Sequence, residues 1–162
     1  MITTYIGIGT NVEREKHIKA AYQELNAIGM NLALSPVYAC DSFGFEGNEF
    51  FNMVVRLDTE LALDELSSAL KSIEVKWGRA ADAAKFQDRT LDLDILLYGK
   101  EISQKKPLLP REDIFKYSFV TQPLYDLDPQ LVIPQDGRTI KQILETMSDV
   151  GSLKKSIFNF SW

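Results

Sequence analysis

The feature that most limits what this chain can fold into is the order in which two hydrophobic periodicities follow one another along its first hundred residues. Thr4 to Gly9 reads as a short buried strand, and it closes in Gly7-Ile8-Gly9-Thr10-Asn11, where glycines permit a tight turn and Asn11 is placed to cap a helix. Ile18, Ala21, Tyr22, Leu25 and Ile28 then recur at helical spacing, with charged Glu13 to Lys16 in the first turn and Gly29 as the stop. His17 lies on this helix and reads as a surface residue. A second strand spans about Leu32 to Ala39, followed by a loop, Cys40 to Asn48, too aromatic to be a mere linker. In the third strand Phe51, Met53, Val55 and Leu57 alternate with Asn52, Val54 and Arg56, which turns Asn52 away from the core. A second helix from about Leu63 carries Leu66, Ala69, Leu70, Ile73 and Trp77 on its apolar side and stops at Gly78. After a polar loop, Leu91 to Gly99 is a strand by length and branching. The succession β-α-β-β-α-β predicts an α+β fold of the ferredoxin-like class, an antiparallel sheet covered on one face by two helices. The remaining third adds Leu108-Leu109-Pro110, a short helix near Phe119 to Leu127 and another from Ile140 to Met147, as helical and hairpin additions to that core.

At 162 residues with 45% hydrophobic side chains, residues 1–162 fit one domain with a core of ordinary density. The net charge of -5 argues against nucleic acid as the main partner, because sequence-independent affinity for a phosphate backbone needs clustered Lys and Arg. No stretch approaches a membrane span and no targeting segment is visible at the start, so a cytoplasmic location without membrane association is expected. One cysteine and one histidine leave no Cys/His set for zinc. A metal here has to be held by carboxylates, which selects a hard ion such as Mg²⁺.

The carboxylates in question stand out in the fourth strand. Alternation there sends Leu91, Leu93, Ile95 and Leu97 toward the helices and Asp92, Asp94, Leu96 and Tyr98 to the other face. Two like charges side by side repel, and a strand this apolar gains nothing from either Asp unless a cation lies between them. An isolated Asp-x-Asp is common and is often merely solvated, so its neighbours decide. Arg79 at the end of the preceding helix and Arg89 three residues before Asp92 bring two guanidinium groups to the mouth of this face, where their planar forks suit phosphate oxygens. The loop between them, with Lys85 and Phe86, is long enough to close over a nucleotide.

The run Gly78-Arg79, then Arg89-Thr90-Leu91-Asp92-Leu93-Asp94-Ile95-Leu96-Leu97-Tyr98-Gly99, resembles the signature of the 6-hydroxymethyl-7,8-dihydropterin pyrophosphokinase family of folate biosynthesis. The resemblance spans nearly the whole chain, from Tyr5-Ile6-Gly7-Ile8-Gly9-Thr10-Asn11 through Phe50-Phe51-Asn52, Pro110 and Phe119 to Gln122-Pro123-Leu124 and Asp128-Pro129. It implies transfer of a pyrophosphoryl group from ATP to the hydroxymethyl oxygen of the reduced pterin, with AMP as leaving group. By position it implies that Asp92 and Asp94 hold two Mg²⁺ ions, with Asp94 nearest the attacking hydroxyl, and that Arg79 and Arg89 stabilise charge on the transferred group. Asn52 would bond the edge of the pterin, and Phe119 would stack on it with help from Cys40 and Phe43. The ATP-binding positions implied are Lys71, Glu74, Lys85, Phe86, Ile95, Lys106 and Arg111. ATP and the pterin are the expected small-molecule partners, and a monomer is expected.

Departures from the family pattern cluster around the donor. Arg111-Glu112 stands where the family has a His-Tyr pair, and Glu112 is expected to repel phosphate. Phe86 replaces the loop tryptophan, Gln87-Asp88 a Gly-Pro, Ala81 and Lys85 two arginines, and Tyr117 an arginine near the pterin. Cys40-Asp41-Ser42 replaces a stretch built on Thr and Pro. Two alternatives follow: a catalytically weak paralogue that binds a pterin or nucleotide, and a two-metal transferase acting on another acceptor.

Overall fold

Strands and helices alternate in the computed structural model as the periodicities predict; the structure describes residues 1–40, 49–78, 91–150 and 153–155. In chain order the elements are β1 (Ile2–Thr10), α1 (Arg14–Ile28), β2 (Met30–Leu34), β3 (Tyr38–Cys40), β4 (Phe50–Thr59), α2 (Leu63–Lys76) and β5 (Asp92–Tyr98). After these come α3 (Asp113–Lys116), α4 (Ser118–Leu127), α5 (Ile140–Glu145) and β6 (Lys154–Lys155). The strands form one sheet in the order β5-β1-β4-β3-β6, with β2 also paired to β4. Every pairing is antiparallel. With β2 and β3 taken as halves of one strand, this is the split βαβ order.

The single second strand expected from the sequence is in fact two, and Pro36 is the physical reason, since it offers no N–H to a ladder. Ser35 carries the pairing to the break: its N–H donates to Val54 O at 3.0 Å and its Oγ accepts from Val54 N–H at 2.9 Å. Asn11 does not cap α1 either. The helix begins at Arg14 behind Glu13, whose φ of 41° is left-handed. His17, expected at the surface, is buried at 3% exposure; its Nδ1–H donates to Val12 O at 2.6 Å, and its ring meets Trp77 edge-on at 6.0 Å. It therefore ties the turn before α1 to the end of α2. Gly29 ends α1 as expected, with an extended backbone, and its lack of a side chain answers to packing. A Cβ there would stand 2.5 Å from Leu57 Cδ1 and 2.9 Å from Asp58 O.

One core lies between the sheet and the first two helices, built from Ile6, Ile8, Met53, Val55, Leu57, Leu93 and Ile95 of the strands against Ile18, Leu25, Leu66, Leu70 and Ile73. The other face is not bare, contrary to the expectation of helices on one face alone. Tyr5, Val54, Leu96 and Leu97 pack there against Ile114, Val120, Leu124, Ile133, Ile140 and Ile143. An irregularity in β5 makes this possible. Tyr5 pairs with Leu97 but Ile6 pairs with Ile95, so Leu96 is an extra residue and the alternation changes phase across it. Leu97 joins Leu96 on the second face instead of pointing at α1 and α2. Tyr98 turns back toward those helices, and its hydroxyl donates to Leu61 O at 2.6 Å. The C-terminal helices thus cover the half of the second face beyond the bulge, and the aspartates lie on the half before it.

Candidate active site

Three strands deliver the chemistry in register. Gly9 of β1 pairs with Asp92 of β5 on one side and Asn52 of β4 on the other, and Asn52 pairs in turn with Tyr38 of β3. One step along, Gly7 pairs with Asp94 and Val54. Directly paired residues share a face, about 4.5–5.5 Å apart. The two glycines therefore make a floor without side chains between a carboxylate wall and a carboxamide wall. A Cβ at Gly9 would lie 3.2 Å from Asn52 Oδ1 and 4.0 Å from Phe50 Cδ1, so this floor is occupied closely from the Asn52 side. Asn52 is 9% exposed, and a flat polar ligand is the natural object for a buried carboxamide over a glycine strip.

The aspartates are held under electrostatic tension. Burial pushes the Asp94 carboxyl up to about 7, the charge of Asp92 adds to this, Arg111 opposes it, and Asp113 and Glu74 add further. Asp94 nevertheless keeps 30% of its side chain exposed, enough for a ligand to reach it. Arg111 Nη2 stands 3.5 Å from Asp94 Oδ1 and Arg111 Nε 3.2 Å from Asp113 Oδ2. The second contact holds the buried Nε by charge, off the line of a good hydrogen bond. Burial works against the guanidinium charge, but Asp94 and Asp113 outweigh it and raise its pKa. Glu74 of α2 reaches the outer edge of β5, where it accepts from Leu93 N–H at 2.8 Å, between the two aspartates.

Among the other expected residues, Phe119 stacks on Tyr117 at 5.0 Å and 14°, so the residue that stands for an arginine supports an aromatic platform. Lys71 and Lys106 are exposed. Ile95 turns its side chain into the helix-side core, leaving only its backbone for a ligand. Glu112, expected to repel phosphate, is exposed and paired with Lys116 at 2.8 Å, which compensates its charge. Cys40 ends β3 opposite Phe50. Phe43, Arg79, Lys85, Phe86 and Arg89 lie outside the described residues. Sequence reasoning missed Asp113, the second anchor of Arg111, which carried no periodic signal. It also left Phe50 out of the site, although Phe50 alternates in phase with Asn52.

Among the described residues no group of three or more His, Cys, Asp or Glu converges on one point. A pair of like-charged carboxylates side by side suits a hard cation that completes its shell with water and phosphate oxygens, which is how Mg²⁺ is usually held beside a nucleotide. No helix among the described residues is long and apolar enough to cross a membrane.

Comparison with known proteins gives the family and the fold. A sequence profile described as 7,8-dihydro-6-hydroxymethylpterin-pyrophosphokinase (HPPK) matches residues 5–129. A 2-amino-4-hydroxy-6-hydroxymethyldihydropteridine pyrophosphokinase of Pseudomonas aeruginosa is 37% identical over 145 residues, 86% of this chain and 88% of that protein. The protein of the same name from Haemophilus influenzae is 31% identical over 159 residues, covering 95% and 98% of the two chains. Among solved structures, that of Plasmodium falciparum HPPK-DHPS superposes with a TM-score of 0.69 at 12% identity, a likeness of fold, over 90% of this chain and 43% of that one.

Proposed function

The chain belongs to the 7,8-dihydro-6-hydroxymethylpterin-pyrophosphokinase family, and on that premise we propose that it moves a pyrophosphoryl group from ATP to the hydroxymethyl oxygen of 6-hydroxymethyl-7,8-dihydropterin and releases AMP. The observation that carries this reading is the cross-strand row Asp92, Gly9, Asn52, which sets an anionic wall and a carboxamide on either side of a glycine floor. Asn52 donates to and accepts from the edge of the pterin, while Phe119, backed by Tyr117, offers a face for stacking. Asp92 and Asp94 hold Mg²⁺, two ions in this reading. When bound, the metal draws charge from the donor's phosphate oxygens and brings donor and acceptor into line.

The residues of the chain do the rest. Asp94, beside the cleft and nearest the acceptor hydroxyl, orients that hydroxyl toward the phosphorus. Glu74 fixes the Leu93 amide and with it the spacing of the two aspartates. Arg111 reaches the donor phosphates with its guanidinium N–H groups. Arg79 and Arg89, carried over from the family signature, stabilise charge on the transferred group. Lys71, Lys85, Phe86, Lys106 and the backbone of Ile95 belong to the nucleotide side, and Cys40 and Phe43 to the pterin side. The enzyme acts as a monomer in the cytoplasm. The test is to incubate pure protein with Mg-ATP and the pterin and to look for pterin diphosphate with an equal amount of AMP. Release of ADP or of free pyrophosphate would overturn the reading.

A further inference from the structure

Arg111 sets a permanent cation beside Asp94. Arg111 is fixed from two directions: its backbone N–H donates to Leu96 O at 3.0 Å, at the bulge of β5, and its guanidinium lies between Asp94 and Asp113 at 3.5 and 3.2 Å. Only about a third of the side chain is exposed, so these ion pairs are screened far less than surface pairs. The buried Nε faces Asp113 Oδ2 at 3.2 Å off the line of a good hydrogen bond, so this contact is held by charge more than by direction. Asp94, for its part, is one of the two carboxylates assigned above to the metal.

We infer that Arg111 is a resident counter-ion that occupies Asp94 in the empty site, competes there with a divalent cation, and passes to the donor phosphates when the metal-nucleotide arrives. This rests on the reading that Asp92 and Asp94 hold the metal. Its consequence is that metal and nucleotide load together. A bare cation has to displace a buried guanidinium that has nowhere better to go, whereas a cation accompanied by a polyphosphate brings the oxygens that accept Arg111. With a neutral residue at 111 the cation would enter unopposed, and the nucleotide would lose a charged partner.

The experiment uses Arg111→Gln, which keeps hydrogen-bonding capacity and removes the charge. Mn²⁺ alone is titrated by electron paramagnetic resonance, and a non-hydrolysable ATP analogue with saturating Mg²⁺ by calorimetry. Mn²⁺ is expected to bind about tenfold tighter to the variant and the Mg-analogue about tenfold weaker, each decade corresponding to about 1.4 kcal/mol; Arg111→Lys is expected to restore weak Mn²⁺ binding. Opposite signs are the mark of the exchange, since a purely structural role would weaken both. Unchanged or weaker Mn²⁺ binding overturns the inference, as does an unchanged analogue affinity. Asp94→Asn separates the two levels: if it leaves Mn²⁺ binding of the wild type unaltered, the metal assignment itself fails. Should Arg111→Gln not fold, the Arg111 Nε–H resonance of the wild type gives the same answer. It shifts on addition of Mg²⁺ and shifts differently on addition of the Mg-analogue, and no shift with either overturns the inference.

Discussion

Replacing Gly9 by alanine separates the site floor from the fold. The added methyl would meet Asn52 Oδ1 at 3.2 Å and Phe50 Cδ1 at 4.0 Å. The second contact is ordinary, but the first obliges the carboxamide to retreat by a few tenths of an ångström. On the stability side, alanine costs less conformational entropy than glycine in a strand, a gain of about 0.5–1 kcal/mol that offsets the displaced side chain. The melting temperature should therefore stay close to that of the parent. On the binding side, a misaligned Asn52 forfeits its bond to the pterin edge, about 1–1.5 kcal/mol, or roughly tenfold in Kd. Calorimetry with the pterin and with an ATP analogue reads both sides. The expected result is a tenfold weaker pterin, an unaltered nucleotide and an unaltered melting temperature, with Asn52→Ala giving the same pattern. Full pterin affinity in Gly9→Ala would refute the argument that this floor and this carboxamide bound the acceptor.

Asp92→Asn and Asp94→Asn should each lower kcat by on the order of 10²-fold or more with the circular dichroism spectrum preserved, because neither opens a core cavity; parallel loss of spectrum and turnover would mean a structural pair. Gly29→Ala should destabilise by about 1–3 kcal/mol in urea unfolding, since its methyl meets Asp58 O at 2.9 Å and backbone cannot step aside as a side chain can. Tyr5 supplies an alkaline test. Burial, and then its hydrogen bond to Asp128 at 3.0 Å, push its hydroxyl from 10.0 up to about 12. The raised folded value means that its contribution is complete below pH 10 and lost as pH climbs through about 12. Tyr5→Phe should lose about 1 kcal/mol at pH 7 and show a flatter decline between pH 9 and 12, followed by denaturant titration.

The order of elements was legible because long periodic segments such as Ile18 to Ile28 and Leu63 to Trp77 declare their buried faces, and the glycines at 29 and 78 mark their ends. Gly78 adopts a φ of 104°, a geometry that glycine accepts without strain. The bulge at Leu96 was not legible. An apolar run such as Ile95-Leu96-Leu97 fits either phase of alternation, and only the C-terminal helices, packed on Leu96 and Leu97, decide between them. Likewise His17 could not be placed, because its burial comes from Trp77, sixty residues away in sequence. The aspartate pair and Asn52 were readable because polar residues in an apolar strand break a pattern. Glu112 and Asp113 open α3, a helix of one turn that is too short to show a period, and their charges acquire meaning only from what faces them, Lys116 for one and Arg111 for the other.

The contact between Glu74 and β5 has a bearing on solubility as well as on the aspartates. A strand at the rim of a sheet offers unpaired amides and carbonyls to any other extended chain, and this is how native sheets become seeds for aggregates. Here the Leu93 amide is taken by a carboxylate from α2, and the Leu96 carbonyl by the Arg111 amide. A newcomer strand would have to evict both and lie against half-buried negative charge, with a bulge bending the rim out of register. The edge that carries the aspartates is thereby its own guard against self-association, and variants that neutralise Glu74 should be watched for precipitation on storage at high concentration.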